Sequence, residues 1–362
     1  MSKIIDLLKR IGITCNRFEL LDLDRAGDSE WDEIEAPIEK PFEDPPPTEG
    51  RRNVGGQCDQ SVKPLFRYFI DGSRKTYRVA DLEHSGHYFP LVAAQIGVAV
   101  CERDFDAFGG CGLKPVAAQS TVVNALVIPS FVGKSDIEEI RKEVGEKARV
   151  KFEVIPYATQ GKEGKSPLDL AVAAAMERMH TMEVRAASNL AKSGYLSNDA
   201  MLAIDGSLMF REKKEFDIVD FRNVIGIAKR FKPDFTVGDR KKTDVGNFVR
   251  KLGYGERTTV FKRTFGNTTT GSWFLRIRPP DKVQSGLGGV VKLELFALDR
   301  AERENGFDPN RIDVISRHVL SERNVTPYGA DDRWATHLYP VYLTEKYLKS
   351  LFMSAVAFKG MF

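Results

Sequence analysis

The sequence predicts an α/β fold in which a mixed sheet is flanked by helices. Apolar, β-branched runs typical of buried strands occur both before and after one long helical segment. That segment, residues 168–191, is rich in Ala, Met, Leu and Glu and contains no helix breaker. A length of 362 residues suits one large domain with elaborations, or two modest ones.

The first 60 residues predict an N-terminal extension, followed by one folded domain over 61–362. Residues 1–14 carry Ile4, Leu7, Leu8 and Ile11 at helical spacing. Residues 19–56 are acidic and rich in proline, including three consecutive prolines at 45–47, and we expect this stretch to be flexible or to wrap loosely over a partner. The apolar face of the helix then has two possible uses: it anchors another protein, or it folds back onto the chain's own core or a second protomer.

Strand, turn and helix patterns predict the remaining elements in chain order. Residues 67–70 and 75–79 form two strands around a turn at Asp71-Gly72-Ser73. Ser166 and Pro167 supply the N-cap and first position of the long helix. The other predicted elements are strands at 89–100, 122–128 and 151–155, a helix at 136–148, strands at 201–204, 223–228, 274–277 and 290–297, and a final amphipathic helix at 344–357.

Two Asp-Gly-Ser motifs are the most informative feature for chemistry. Asp71 and Asp205 each follow an apolar strand, so adjacent strands would bring the two carboxylates together at one edge of a sheet. Like charges held close repel, and a divalent cation relieves this. Asp-Gly-Ser is also good turn chemistry with no further function. A third carboxylate would come from the long helix, where Glu183 is favoured and Glu177 is the alternative. Such a set suits two Mg²⁺ or Mn²⁺ ions in phosphodiester hydrolysis, one activating water and one stabilising the leaving oxygen.

Charge distribution adds a second argument for a nucleic-acid partner. The formal net charge is only +3, but the negative charge is concentrated in the N-terminal segment, which leaves a basic body. Lys229, Arg230 and Lys232 follow an apolar strand and are candidates for contacting phosphates, although strand-end lysines are commonly just solvated. No run of roughly 18 apolar residues and no secretory signal are present, so we expect a soluble protein of the cytoplasm.

Other common chemistries find little support in the sequence. Four scattered cysteines form no C-x-x-C pair, and the five histidines lack the usual zinc-ligand spacing. Gly286, Gly288 and Gly289 are not followed by Gly-Lys-Ser/Thr, so an ATP-binding loop is not indicated. Any motor that the protein needs is therefore expected on another chain.

Taken together in order and spacing, the motifs resemble the NurA nuclease family over residues 65–355. They are the two Asp-Gly-Ser motifs, the strand from Asn223 to Lys229, and His337-Leu338-Tyr339-Pro340. The resemblance implies a Piwi-related RNase H-like fold, a homodimer, and Mn²⁺-dependent DNA cleavage beside a HerA-type hexameric ATPase, in DNA repair or antiviral defence. It implies Asp71, Glu183 and Asp205 as metal ligands and Tyr339 as a residue near the active site.

The chain departs from this family at one point, which leaves a rival function open. A histidine often follows the family's tyrosine by two helical turns, whereas this chain offers Glu345 and Tyr347. Either Glu345 replaces a neutral ligand with a charged one, or the site is incomplete. The rival is a catalytically weak nucleic-acid-binding or ATPase-docking subunit. An Argonaute-like guide binder is disfavoured because 362 residues leave little room for guide-end modules.

Overall fold

A computed structural model describes residues 3–23, 38–59, 61–106, 112–147, 150–160, 165–208, 217–229, 231, 245–283, 285–322 and 336–362. The α-helices of these ranges are α1 (Lys3–Arg10), α2 (Lys134–Arg141), α3 (Pro167–Lys192), α4 (Val245–Arg250), α5 (Arg300–Asn305), α6 (Pro309–Ser321), α7 (Tyr339–Leu351) and α8 (Ala355–Lys359). The strands are β1 (Cys15–Asp22), β2 (Arg51–Asn53), β3 (Phe66–His84), β4 (His87–Asp104), β5 (Gly112–Pro115), β6 (Thr121–Pro129), β7 (Phe152–Tyr157), β8 (Met201–Asp205), β9 (Val224–Ala228), β10 (Glu256–Thr258), β11 (Phe261–Phe265), β12 (Thr268–Arg276) and β13 (Val290–Phe296).

The described strands form one mixed sheet, and helices pack on it, which confirms the predicted α/β class. The central order is β7-β6-β4-β3-β8-β9-β13-β12-β10-β2. β3, β4 and β6 form an antiparallel meander, whereas β8 runs parallel to β3 and β9 parallel to β8. The connection from the meander to β8 runs through β7 and α3. The middle of the sheet thus changes from antiparallel to parallel pairing at β3.

Helix α3 is the element that local sequence signals predict best. The Ser166 side chain accepts from the backbone of Asp169, and the Asp169 carboxylate accepts from the backbone N–H of Ser166, so both halves of a capping box are present. Pro167 begins the helix, as predicted. Small buried residues on its inner face, Ala171 and Ala175, let the helix pack closely against β3 and β4.

The predicted turn at Asp71-Gly72-Ser73 is wrong, because these residues lie inside β3. Asp71 pairs with Ala99 and Ser73 with Gly97, so the strand continues without interruption through the motif. The chain reverses instead at Ser85 and Gly86, whose φ angles of 51° and 75° suit a two-residue hairpin turn. These residues favour a turn by their local chemistry, but pairing of all three with β4 holds the backbone extended.

The N-terminal helix packs in the chain's own core, which is one of the two uses that the sequence leaves open for its apolar face. Leu7 and Leu8 are buried in one hydrophobic cluster with Val79 and Leu82 of β3. β1 pairs with the second half of β3, beyond the point where β8 ends. The folded core therefore begins before residue 60.

Residues 38–59 are also bound to the sheet, so the expected flexibility of the segment 19–56 is wrong for this part. Phe42 is buried; its backbone N–H donates to the carbonyl of Val260, and its carbonyl accepts from the N–H of Phe307. The Glu43 carboxylate is fully buried and lies 2.9 Å from the guanidinium of Arg257. Because of this ion pair, the acidic Glu43 is buried, although the composition of its segment predicts exposure to solvent. Residues 24–37 lie outside the described ranges.

The C-terminal helix differs from the predicted 344–357 at both ends. α7 begins at Tyr339, with Pro340 in its first turn, and ends at Leu351. Phe352 is extended, and Ser354 then caps the separate helix α8 by accepting from the backbone of Ala357. Among the described residues, no helix is long and apolar enough to cross a membrane.

Candidate functional site

Asp71 and Asp205 are neighbours on two parallel strands, as the repeated motif predicts. Ile70 of β3 lies opposite Ile204 of β8, so the next residue of each strand is an aspartate at the same level. Side chains alternate between the two faces of a sheet, so Asp71 shares a face with Phe69, and Asp205 shares a face with Ala203. Phe69 and Ala203 both belong to the apolar cluster under α7. The two carboxylates therefore lie on one face, at the end of β8.

The environment of Asp71 opposes its ionisation. Its side chain is only 5% exposed, and its Oδ2 atom has no hydrogen-bond partner. Burial first, and then the negative charges of Asp205 and Glu345, raise the pKa of Asp71 well above its ordinary value. Lys229 opposes this shift only in part. A buried carboxylate oxygen without a partner, next to further carboxylates, is the arrangement that a bound cation stabilises.

Glu183 approaches the same strand from the opposite face of the sheet. It is 8% exposed on α3, and its Oε2 lies 3.4 Å from Nδ1 of His180, one turn earlier. A Cβ atom at Gly72 would lie 2.3 Å from Oε1 of Glu183, so only glycine leaves room for the carboxylate here. Glu177, the alternative candidate, is exposed. The structure thus brings Glu183 rather than Glu177 to β3.

The two Asp-Gly-Ser motifs use their glycines differently. Gly72 is in extended strand and provides space for Glu183. Gly206 has a φ of +125°, a conformation that L side chains rarely adopt, and it turns the chain away as β8 ends. The turn interpretation therefore fits the second motif and fails for the first.

Helix α7 brings Glu345 to the aspartates. Its side chain is 26% exposed and pairs with Lys349 one turn later. Burial acts to raise the pKa of Glu345, but the hydrogen bond from Lys349 and the charges of Lys349, Lys229 and His337 outweigh it and lower the pKa. Tyr339 lies in the first turn of α7, where its N–H donates to the carbonyl of Glu322. In the described part of the chain, no side-chain hydrogen bond joins the Tyr339 phenol to the carboxylates.

Lys229 supplies the positive charge beside the aspartates. Its Nζ lies 2.7 Å from Oδ2 of Asp205, and the lysine side chain is 13% exposed. Lys229 is mostly buried and pairs closely with a carboxylate, so it differs from a lysine that is simply solvated at the end of a strand. Arg230 and Lys232, the other two predicted phosphate contacts, lie outside the described residues.

Glu294 of β13 fixes the chain that follows Asp205, and the sequence analysis missed it. This fully buried carboxylate accepts from the Ser207 hydroxyl at 2.6 Å and from the Leu208 backbone at 2.7 Å. Burial acts to raise the pKa of Glu294, but the charge of Lys292, 3.3 Å away, and these hydrogen bonds lower it. The alternation of charged Lys292 and Glu294 within an apolar strand was the available signal.

Hard divalent cations prefer oxygen ligands. The four acidic side chains near β3 all offer carboxylate oxygens; they are Asp71, Glu183, Asp205 and Glu345. In the ranges described above, no three acidic, histidine or cysteine side chains already converge as ligands of one ion. Asp205 engages Lys229, Glu183 approaches His180, and Glu345 engages Lys349. Ligation of a shared cation therefore requires these carboxylates to converge, whereas Oδ2 of Asp71 already has no hydrogen-bond partner.

Comparisons with protein families and with curated proteins give no match to this chain. The function is therefore inferred from the geometry of the site and the topology of the sheet.

Proposed function

We propose that this protein is a metal-dependent DNA nuclease with an RNase H-like fold, which hydrolyses phosphodiester bonds with Mn²⁺ or Mg²⁺ at a two-metal carboxylate site. The observation that carries the proposal is the juxtaposition of Asp71 and Asp205 on parallel strands, with an unpartnered carboxylate oxygen on the buried Asp71. Repulsion between two such carboxylates is rarely kept without a cation to relieve it.

The order of the central strands supports the fold assignment. An RNase H-like sheet joins a three-stranded antiparallel meander, through a helix, to two strands parallel to the first. The strands β3, β4, β6, β8 and β9 follow this order, with α3 in the connection. Acidic residues then lie on the first strand, on the connecting helix and on the fourth strand, which is where Asp71, Glu183 and Asp205 are found.

Each residue has a distinct part in the proposed reaction. Bound divalent cations would supply positive charge at the phosphate and lower the pKa of the attacking water. Asp71 and Asp205 would hold these ions from one face of the sheet, and Glu183 from the other side of β3. Lys229 lies within hydrogen-bond distance of Asp205 and would donate to a non-bridging phosphate oxygen at the same strand end.

The proposed partners are those that the sequence resemblance to the NurA family implies. They are DNA, a second copy of the chain, and a HerA-type hexameric ATPase, in repair or defence within the cytoplasm. Since the apolar face of α1 packs in the chain's own core, the helix does not support the idea of an N-terminal anchor for the ATPase.

A second candidate function is a nucleic-acid-binding or ATPase-docking subunit with little catalysis. It is favoured by the separate partners that Asp205, Glu183 and Glu345 already have within the chain. The buried, unpartnered oxygen of Asp71 favours the nuclease, because a purely structural aspartate would be expected to have a hydrogen-bond donor.

Cleavage assays on labelled single strands, duplexes and plasmid, with Mn²⁺, Mg²⁺ or EDTA, test the proposal. Asp71→Ala and Asp205→Ala are expected to abolish cleavage with an unchanged circular dichroism spectrum, since each removes a ligand and little core packing. Glu183→Gln should also be inactive, while the exposed Glu177→Gln on the same helix serves as the matched control and should cut normally. Parent-rate cleavage by a folded Asp71 or Asp205 variant would rule out the nuclease site.

A further inference from the structure

We propose that His84 and His87, at the tip of the hairpin formed by β3 and β4, bind a Zn²⁺ ion separate from the carboxylate site. The ion joins the ends of the two strands and takes no part in the proposed cleavage. Asp71 and His84 are far apart on the same strand, and a rise of about 3.3 Å per residue separates them by roughly 40 Å.

The hairpin turn brings the two histidines together. His84 and His87 are the last registered pair of β3 and β4, and they lie directly opposite each other across Ser85 and Gly86. Both turn residues have a positive φ, 51° and 75°, as a tight two-residue hairpin requires. Directly opposed side chains project from the same face of a hairpin, with Cβ atoms about 4.5–5.5 Å apart. Two imidazoles at this spacing can converge on one ion.

An aromatic stack holds the ring of His84. The ring lies against Phe131, with ring centroids 4.3 Å apart and an interplanar angle of 11°. Phe131 in turn packs edge to face on Phe89 of β4. Stacking covers one face of an imidazole, whereas the nitrogen lone pair that binds a metal lies in the plane of the ring. Phe131 therefore restricts the orientation of His84 without using its ligand atom.

The imidazoles of His84 and His87 are accessible to an ion from solvent. Both residues are exposed, and within the described ranges neither ring makes a hydrogen bond or an ion pair. Glu83 and Tyr88, the neighbouring cross-strand pair, lie on the other face of the hairpin. In the part of the chain that the structure describes, no third acidic, histidine or cysteine side chain joins the two rings. Water would therefore fill the remaining coordination positions.

The ligand chemistry selects Zn²⁺ over the ions proposed for the carboxylate site. Imidazole nitrogens suit transition ions such as Zn²⁺, whereas carboxylate oxygens suit Mg²⁺ and Mn²⁺. Zn²⁺ has no geometric preference from its d-electrons, so it accepts the ligand angle that a hairpin imposes. A separation of three residues along the chain is not a usual zinc-ligand spacing. The hairpin, and not the local sequence, creates this pair.

A bound ion would stabilise the least supported end of the β3 and β4 ladder. Among the described strands, β1 pairs with β3 only as far as Leu82, and β6 pairs with β4 only as far as Val92. The tip is therefore held mainly by the pairing of β3 with β4. An ion that binds the closed hairpin and not the unfolded chain favours the folded state.

Calorimetric titration of the full-length protein with Zn²⁺, in an excess of Mg²⁺ that competes for the carboxylates, tests the proposal. The parent is expected to bind Zn²⁺ and to unfold at a higher temperature with the ion than without it. His84→Ala and His87→Ala should each lose one equivalent of bound Zn²⁺ and the thermal shift that accompanies it. The affinity of the hairpin should fall by about 100-fold or more, because the remaining imidazole has no chelating partner.

Tyr88→Ala is the matched control. Tyr88 is exposed on the same hairpin, next to His87 but on the other face, so its removal takes away no ligand. This variant should bind Zn²⁺ and shift its unfolding temperature as the parent does. Circular dichroism without added metal establishes that each variant is folded. Mn²⁺-dependent cleavage by both histidine variants should equal that of the parent, since the tip is far from the carboxylates.

Three results would overturn the zinc site. They are parent-like Zn²⁺ binding in either histidine variant, an equal loss of binding in Tyr88→Ala, and a parent that binds no Zn²⁺. A molar mass that doubles only on adding Zn²⁺, measured by light scattering, would show that two hairpins share the ion and would overturn a site within one chain. The proposed nuclease is tested separately, by the cleavage activity of Asp71→Ala and Asp205→Ala.

Discussion

An alanine at position 72 would place a methyl group where the carboxylate of Glu183 now lies. The added Cβ would be 2.3 Å from Oε1 and 2.7 Å from Cδ, while ordinary contact begins at 3.4 Å. The carboxylate must therefore withdraw by about 1 Å, a displacement that can lower catalysis on the order of 100-fold at a positioned site. Gly72→Ala is accordingly expected to reduce cleavage by about two orders of magnitude.

Stability should change much less, because the obstructing atoms are the end of a flexible side chain. A strained rotamer of Glu183 costs about 0.5–1.5 kcal/mol. Replacing glycine in a strand returns about 0.5–1 kcal/mol of that cost through reduced backbone entropy in the unfolded chain. The net change in the free energy of unfolding is therefore expected to stay under about 1 kcal/mol.

Cleavage rates and denaturant unfolding of the same variants test this reasoning. Gly97→Ala on the neighbouring strand is the contrast, because its Cβ would meet three packed apolar side chains and overpacking of this kind costs about 1–3 kcal/mol. Glu183→Ala combined with Gly72→Ala should show no clash cost at all. Parent-rate cleavage by Gly72→Ala, or a stability loss that persists without the Glu183 carboxylate, would refute the argument.

Two further predictions concern buried charge. The native state holds the Asp71 proton more tightly than the unfolded chain, whose ordinary pKa is 3.8, so the cost of ionising Asp71 is absent below that pH and complete above the raised pKa. Asp71→Asn without divalent ions should therefore raise the unfolding temperature near pH 8, with the gain fading towards pH 4; an equal gain at both pH values would contradict this. Arg257→Ala should lower the free energy of unfolding by about 3–5 kcal/mol, because it leaves the fully buried Glu43 unpaired. Denaturant titration measures this, and a loss below about 1 kcal/mol would show that Glu43 finds another partner.

Local signals in the sequence determined the elements whose formation depends on neighbouring residues. The serine cap and proline of α3 and its run of helix formers fixed that helix almost to the residue, because capping and helical periodicity act within a few positions. The apolar runs ending at Asp71 and Asp205 likewise identified two buried segments. Their juxtaposition was predictable because each apolar run is followed directly by the same Asp-Gly-Ser motif.

Contacts between residues far apart in the chain decided what the sequence left open. Asp-Gly-Ser has the same turn propensity at both positions, yet pairing with β4 keeps the first copy extended, and Gly72 there leaves room for Glu183. The acidic N-terminal segment resembles a solvated linker until Glu43 meets Arg257, more than 200 residues later.

For the carboxylates of the candidate site, too, the sequence determined some features and the tertiary structure decided others. The sequence by itself determined that Asp71 and Asp205 end or interrupt apolar strands, since hydrophobic periodicity is a local property. Only the tertiary structure decided that Glu183 rather than Glu177 reaches β3, and that α7 brings Glu345 beside Asp71. Helix register relative to a sheet depends on the packing of side chains such as Leu348 over Gly97, and no local pattern encodes that contact.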